Sequence, residues 1–292
     1  MFFDTHAHVN FNAYKDDGDD VLRRCLENGM SVLNVGSQYS TSKRAVEYAH
    51  KFASFEDGPR ATRGPSSIGI YAAVGIHPVQ LQKGGFTYVD PQELDETEIR
   101  TVGEKFEYEK YLALAQDEKV VAIGEVGLDY KHFPEDADQE TLIEKQKETL
   151  FEFIKIANEV EKPVLLHCWG SYDDLLEILK TNPVHKKGVV HSFIGSYKTA
   201  QKFIELGYKI GLNGIITYGE SYDRLIREID LQDIVLETDC PYLTPRPLEK
   251  GIRNEPLFVK EVAAKIAQAK GISLEEVALK TNQNATKLLL SQ

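Results

Sequence analysis

Eight short apolar runs alternate with amphipathic stretches along most of the chain. The run that begins at Val120 is typical, because four consecutive apolar residues lead directly into Gly124 and Glu125. A continuous apolar run of this length predicts a strand buried on both faces, as in a parallel sheet covered by helices. The other seven runs lie at residues 2–5, 31–36, 68–75, 163–166, 188–190, 208–212 and 233–236.

Helical periodicity separates these predicted strands. The helical stretches lie at residues 17–29, 41–52, 104–116, 139–160, 172–179, 198–206 and 221–229, with two further helical patterns after Pro256. We expect a loop at 54–67, which contains two Gly and two Pro, and a loop with a short helical turn at 83–103. The alternation predicts a single domain over residues 1–292, of the α/β class, folded as a (β/α)8 TIM barrel. A doubly wound open sheet is the competing architecture.

Composition limits the classes of partner. The formal net charge of -12 argues against broad electrostatic attraction to a nucleic-acid backbone, so a substrate with phosphate groups needs local cations or bound metal. No apolar stretch has the length of a membrane span, and the N-terminus lacks a secretory pattern. Three cysteines make a disulfide framework improbable. We therefore expect a cytoplasmic protein without membrane contact, and no obligate protein partner is evident.

Ionisable side chains follow the predicted strands where a barrel places its active groups. His6 and His8 end the first strand and point to the same side, because side chains alternate along a strand. The alternative for this pair is two polar loop histidines. The remaining candidates end the fourth, fifth, sixth and eighth strands, and they are Glu125, His167, His191 and Asp239. Only a closed barrel would bring all of these strand ends around one centre.

These six residues form a nitrogen and oxygen donor set without a thiolate, which suits zinc, manganese, magnesium or iron. Six ligands are too many for one tetrahedral ion. They divide into two groups that share one carboxylate, which predicts two ions roughly 3.5–4 Å apart. Cys168 and Cys240 each lie one residue from a ligand and should face away from the axis, whereas Glu237 should act as a hydrogen-bonding partner of the site.

Other polar residues have two interpretations each. His77 follows the third strand and is either a capped loop histidine or a substrate-binding donor near the metal. Arg246, Lys250 and Arg253 cluster after the eighth strand and either bind a substrate phosphate or lie in a solvated loop. We expect His132 to be solvated.

Several motifs together resemble the TatD family of metal-dependent deoxyribonucleases, within the amidohydrolase superfamily. The motifs span nearly the whole chain and are DTHAH at the start, GIHP at 75–78, GEVGLDY at 124–130, HSF from His191, ETDCPYL at 237–243 and RNEP at 253–256. The resemblance implies that His6, His8 and Asp239 hold one divalent metal ion (Mg, Mn or Zn). His167 and His191 hold a second ion, and Glu125 bridges the two.

The resemblance also implies DNA as the substrate and a 3'-5' exonuclease type of activity. A metal-bound hydroxide would attack the phosphodiester, with Asp239 managing its proton and Glu125 as the second catalytic residue. His77, Trp169 and Arg253 are the candidate substrate-binding residues.

The chain departs from the family pattern at two positions. Trp169 stands where the family usually has Arg, which removes a bidentate phosphate partner, and it either stacks on a base or ring or packs internally. Asn10 stands where the family commonly has Asp. Two other functions stay open: a superfamily hydrolase of a cyclic amide, lactone or aminoacyl ester, and a metal-binding protein without efficient catalysis.

Overall fold

The computed structural model describes residues 1–53, 68–89, 96–249 and 251–291, and within them eight parallel strands form a nearly closed barrel. Each barrel strand pairs in parallel with the next one along the chain. The barrel strands are β1 (Phe3–Ala7), β2 (Ser31–Val35), β3 (Ile70–Val74), β6 (Val120–Asp129), β7 (Val164–Trp169), β8 (Gly188–Val190), β9 (Lys209–Leu212) and β10 (Ile234–Leu236), while β4 (Lys83–Val89) and β5 (Glu96–Val102) form a separate hairpin. The predicted (β/α)8 barrel is confirmed, and the open sheet is wrong.

Hydrogen bonds beyond the strand ladders join β1 to the loop after β10. The backbone N–H of Asp239 donates to the carbonyl of His6 at 2.8 Å, and the N–H of His8 donates to the carbonyl of Cys240 at 2.9 Å. The hydroxyl of Thr5 donates to the carbonyl of Leu236 at 3.0 Å. These hydrogen bonds therefore connect the first and last barrel strands at the end of the barrel that carries three of the predicted metal ligands.

Helices cover the outside of the barrel. They are α1 (Gly18–Glu27), α2 (Tyr39–Lys51), α3 (Tyr108–Ala115), α4 (Gln139–Glu159), α5 (Tyr172–Thr181), α6 (Tyr197–Glu205), α7 (Asp223–Glu228), α8 (Val259–Lys270) and α9 (Leu274–Leu289). Local sequence fixes several ends: the Asp138 side chain caps α4 by accepting from the N–H of Thr141, and Ser273 caps α9 in the same way. Gly271 ends α8 in the left-handed conformation, with φ of 68°. No helix in these described ranges is long and apolar enough to cross a membrane.

The apolar core has two layers. A small interior cluster fills the barrel and is formed by Phe3, Leu33, Val35, Tyr71, Ala73, Ala122, Leu165, Val189 and Val235, together with Ala285 and Leu289 of α9. A larger cluster lies between the strands and the surrounding helices. Each strand is thus buried on both faces, which explains why its sequence is continuously apolar rather than alternating.

Two parts of the chain differ from the sequence prediction, and for a third the prediction cannot be compared with the structure. The prediction of a loop with a helical turn at 83–103 is wrong, because β4 and β5 pair antiparallel from Lys83 with Val102 to Val89 with Glu96. Glu125 does not end its strand, since β6 continues to Asp129 after a register irregularity between Ile123 and Val126. The loop predicted at 54–67 lies outside the described residues.

Candidate metal centre

The six predicted ligands meet at the C-terminal end of the barrel, and all of them are buried except for part of Asp239. His6 lies in β1 and His8 just beyond it, while Glu125 and His167 lie in β6 and β7. His191 follows β8 directly, and Asp239 is three residues after the end of β10. Strands that are distant in sequence thus supply one compact group of donors.

One oxygen of Glu125 faces the histidine pair from β1. Oε2 lies 3.4 Å from Nε2 of His6 and 3.8 Å from Nε2 of His8. These two ring nitrogens are 3.2 Å apart. Oδ1 of Asp239 completes the group at 3.3 Å from Nε2 of His8.

The other oxygen of Glu125 faces a second group of imidazoles. Oε1 lies 2.9 Å from Nδ1 of His167 and 3.1 Å from Nε2 of His191. Nε2 of His77 approaches the same oxygen at 3.5 Å and lies 3.1 Å from Nδ1 of His167. The two oxygens of one carboxylate therefore belong to two different sets of donors.

Donor chemistry and spacing fit divalent ions. Metal bonds of about 2.0–2.2 Å from nitrogen and oxygen ligands place neighbouring donor atoms about 3.0–3.5 Å apart. The separations between His6 and His8, between His8 and Asp239, and between Glu125 and each of His191 and His167 are 3.2, 3.3, 3.1 and 2.9 Å. Two of the residue groups that could hold an ion are His6 with His8 and Glu125, and His77 with Glu125 and His167.

The carboxylates of the centre stay ionised despite burial. Burial raises the pKa of Glu125, but the surrounding histidines, His77, His191 and His6 among them, outweigh it and hold that pKa well below its usual value. The pKa of Asp239 is likewise lowered, because His191 and His8 outweigh the effect of burial. Both groups are therefore negatively charged at neutral pH and suited to a cation.

The pKa values of the histidines in the centre are shifted in different directions. Burial lowers the pKa of His6, and burial with the nearby His167 lowers that of His77 to about 3. Burial also acts on His167, but hydrogen bonds to Asp129 and Glu125 prevail and raise its pKa to about 9. The pKa of His191 is raised well above its usual value, because Glu237, Glu125 and Asp239 together outweigh burial.

Glu237 lies behind His191 rather than in the donor groups around Glu125. Its Oε1 is 3.3 Å from Nδ1 of His191 and accepts a hydrogen bond from the backbone N–H of Ser192. The rings of His6 and His191 stack with centroids 3.7 Å apart. A carboxylate in this place orients the imidazole so that its other nitrogen faces Glu125.

Gly127 allows β6 and β7 to approach at the centre. Its φ is 151°, and a Cβ atom at this position would lie 2.0 Å from the carbonyl oxygen of His167. Any other residue here would push β6 away from β7 and separate Glu125 from His167.

Asp129 is a buried residue of the site that sequence reasoning missed. Its Oδ2 lies 3.2 Å from Nε2 of His167 and 2.7 Å from Nδ1 of His132. The prediction that His132 is solvated is wrong, because its side chain is mostly buried and lines the cleft above the centre. The motif GLDY contained the signal, since Asp129 is four residues after Glu125 and follows an apolar residue.

The centre opens into a cleft of about 160 Å³. His77 and Trp169, two of the predicted substrate-binding residues, line it together with His132. The rings of Trp169 and His132 are in contact, with centroids 4.8 Å apart and planes tilted by 33°. The indole therefore lines the same cleft as the predicted metal ligand His167 and contacts His132 of the β6–α4 loop.

Arg253, the third predicted substrate-binding residue, does not line this cleft. Its guanidinium forms a bidentate pair with Asp17, at 2.9 and 2.6 Å, and also contacts Glu255 at 3.2 Å. Arg246 is exposed, and Lys250 lies outside the described residues. The role of Arg253 stays a prediction, with its charge balanced by two carboxylates.

The Asn10 side chain donates hydrogen bonds that an Asp carboxylate could not donate. Its Nδ2 donates to the carbonyls of Val35 and Thr41, at 3.0 and 2.9 Å, and the residue is fully buried. The carbonyl of Val35 also contacts Nδ1 of His8 at 2.9 Å. Asn10 thus holds the strand that orients His8.

Comparison with known proteins shows which family the chain belongs to. A model of the family described as TatD related DNase matches residues 3–290. YabD of Bacillus subtilis, named an uncharacterized metal-dependent hydrolase, is 32% identical over 292 residues, which cover 99% of this chain and 98% of that protein. A Danio rerio protein named as a candidate deoxyribonuclease, tatdn3, is 28% identical over 98% of this chain and 96% of its own length.

A solved structure of similar fold is YjjV of Escherichia coli, described as a TatD homolog. It is 27% identical, covers 100% of this chain and 98% of its own, and superimposes with a TM-score of 0.77. A TatD family hydrolase from Entamoeba histolytica, at 22% identity, shares the fold with a TM-score of 0.79 and coverage of 100% and 99%. The chain therefore belongs to the family of TatD-related DNases and is a metal-dependent hydrolase.

Proposed function

We propose that this hydrolase cleaves phosphodiester bonds of DNA, from an exposed end or in a single strand, with two divalent metal ions. The observation that carries the proposal is the division of Glu125, whose Oε2 faces His6 and His8 while its Oε1 faces His167 and His191. A carboxylate whose two oxygens face two separate sets of histidines is the arrangement expected of a bridging ligand in a two-metal site.

In this proposal His6, His8 and Asp239 hold one ion and His167 and His191 hold the other. Glu125 bridges them. Divalent ions in these positions polarise a phosphoryl oxygen and acidify water. The native metal is one of Mg, Mn and Zn, which all accept nitrogen and oxygen ligands.

The protein's own groups position the reaction and carry its protons. Asp239 is ionised, and its side chain is 17% exposed on the cleft, so it can accept a proton from the attacking water. His77 lies near enough to Glu125 and His167 to contact an oxygen of the bound phosphate. Trp169 offers an aromatic face on which a base can stack.

DNA is favoured as the substrate by the family and by the relative from Danio rerio. The net charge of -12 means that the site itself must supply most of the affinity for phosphate. Hydrolysis of a cyclic amide, a lactone or an aminoacyl ester is the alternative, because such bonds are also cleaved at binuclear centres in this superfamily.

A substrate panel tests the proposal. Metal-free protein reconstituted separately with Mg, Mn or Zn is assayed on single-stranded and duplex DNA, RNA, a simple phosphodiester, and amide and lactone substrates, with Asp239→Asn as the inactive control. We expect hydrolysis of single-stranded DNA and of duplex ends. Turnover of amides or lactones with every DNA substrate left intact would contradict the proposal.

A further inference from the structure

A second depression adjoins the catalytic cleft on the side of β1 and α2. It has a volume of about 350 Å³. It shares four lining residues with the cleft, namely Phe11, Ser37, Gln80 and Tyr242. The depression is therefore contiguous with the cleft above the candidate metal centre. We call it the side groove.

The side groove is lined mainly by neutral polar groups, and Arg44 of α2 brings a positive charge to it. The Arg44 side chain is half-buried. Its Nη1 donates to the carbonyl of Asn10 at 2.8 Å and to Oδ1 of Asn12 at 3.1 Å. Both partners are uncharged, so these hydrogen bonds fix the guanidinium in the side groove without pairing it with a carboxylate.

Several of the carboxylates near Arg44 pair with other cations. In a separate depression that Arg44 also lines, Asp19 pairs with Lys51 and Asp20 with Arg23. Among the described residues, no carboxylate forms an ion pair with Arg44. This arrangement contrasts with Arg253, whose guanidinium is held by Asp17 and Glu255.

Arg44 is also connected to the candidate metal centre, through its hydrogen bond to the segment that follows His8. Asn10, whose carbonyl accepts from Arg44, is two residues after His8. The amide of Asn10 and the ring of His8 share the carbonyl of Val35. The guanidinium is thus held by the segment that follows His6 and His8.

We propose that Arg44 binds a second phosphate of the substrate strand, in the side groove next to the bond that is cleaved. The inference rests on the proposed DNA hydrolysis and deepens it, because it makes the preferred substrate a strand with at least one phosphate beyond the scissile one. It also supplies a guanidinium in a neighbouring groove to a site where Trp169 stands in place of the Arg that the family usually has. Arg presents a forked set of donors that matches phosphate oxygens.

The test compares a single-stranded oligonucleotide with a simple chromogenic phosphodiester that has one phosphate. Arg44→Ala should lower kcat/KM on the oligonucleotide by about tenfold or more, mainly through KM, because a charge-assisted hydrogen bond is lost. The loss on the simple ester should be much smaller, and Arg44→Lys should recover part of the difference. The dependence of log kcat/KM on log salt for the oligonucleotide should become less steep by about 0.7, as for one phosphate contact on a single strand.

Arg23→Ala is the matched control, because it removes the same charge from a neighbouring exposed residue that lies outside the side groove. It should leave the ratio between the two substrates unchanged. Equal losses of Arg44→Ala on both substrates, or an unchanged ratio and salt dependence, would overturn the inference while leaving DNA hydrolysis intact. A wild-type enzyme that cleaves the simple ester but no oligonucleotide would instead overturn the proposed function, and the inference with it.

Discussion

Oδ2 of the buried Asp129 lies 3.2 Å from Nε2 of His167. The same oxygen lies 2.7 Å from Nδ1 of His132, and Oδ1 accepts hydrogen bonds from the backbone N–H groups of Lys131 and His132. Burial alone would raise the pKa of Asp129, but the hydrogen bonds from His132 and His167 outweigh it and the pKa is lowered. A permanent carboxylate thus orients one proposed metal ligand and one side chain of the cleft.

Asp129→Asn should weaken metal binding at the centre. The amide offers His167 a neutral oxygen in place of a carboxylate, and loss of such a partner typically costs about 10–100-fold in metal affinity or activity. Metal titration by calorimetry measures the effect. Asp174→Asn, the same change at a half-exposed carboxylate bound by Tyr130 and Lys147, is the control and should have no effect. Wild-type affinity and activity in Asp129→Asn would show that the carboxylate does not support the ligand.

Metal binding should release protons. The pKa of His167 is about 9 without metal, so the ring carries a proton at pH 7.5, and a protonated imidazole cannot bind an ion. His191, whose pKa is also raised, adds to this release. Metal affinity should therefore increase as the pH rises from 7 through 9. Calorimetry in two buffers of different ionisation enthalpy counts the protons, and an affinity that is flat over this range without proton release would contradict the assignment.

Trp169→Ala should reduce activity on DNA more than activity on a base-free phosphodiester. Stacking of one base on an aromatic ring contributes about 1–3 kcal/mol, and a substrate without a base does not use this contact. Trp169→Phe should retain most of the activity, whereas Trp169→Arg should lose the stacking. Steady-state kinetics on both substrates are combined with melting temperatures. Equal losses on the two substrates at an unchanged melting temperature would exclude stacking.

Asn10→Asp should destabilise the protein. Asp cannot donate to the carbonyls of Val35 and Thr41, and its carboxylate would lie against these two carbonyl oxygens, so we expect a loss of more than about 2 kcal/mol in the free energy of unfolding. Denaturant unfolding measures it. Asn12→Asp is the control, because Asn12 is exposed and its side chain accepts from Arg44 through an oxygen that Asp retains. An Asn10→Asp protein as stable as the wild type would show that these two donors are not needed.

The barrel and the meeting of the six ligands could be predicted because both depend on simple rules. Parallel strands buried on two faces are continuously apolar, and their C-terminal ends face one side of a barrel. His167 and His191 follow such runs immediately in sequence, and Asp239 lies three residues after one. Their common location needs no knowledge of side-chain packing.

Features that depend on packing could not be predicted in this way. Strand β6 continues past Glu125 because Gly127 admits the backbone of β7, so Asp129 falls inside the barrel end rather than in a loop. Strands β4 and β5 pair with each other and not with the barrel, and their sequences contain no long apolar run that would indicate a strand. The side groove joins residues of segments far apart in sequence, and Arg44 by itself has the pattern of an ordinary helix-surface residue.

The bridging role of Glu125 is tested most directly by counting metal ions in matched variants. Elemental analysis of protein loaded with excess metal, with Glu118→Gln as an exposed control carboxylate, should give two ions per chain for the wild type and the control. Glu125→Gln should hold fewer ions and lose activity, because an amide cannot supply a negatively charged oxygen to each of the two metal ions. Two ions and full activity in Glu125→Gln, or a single ion in the wild type, would contradict the account.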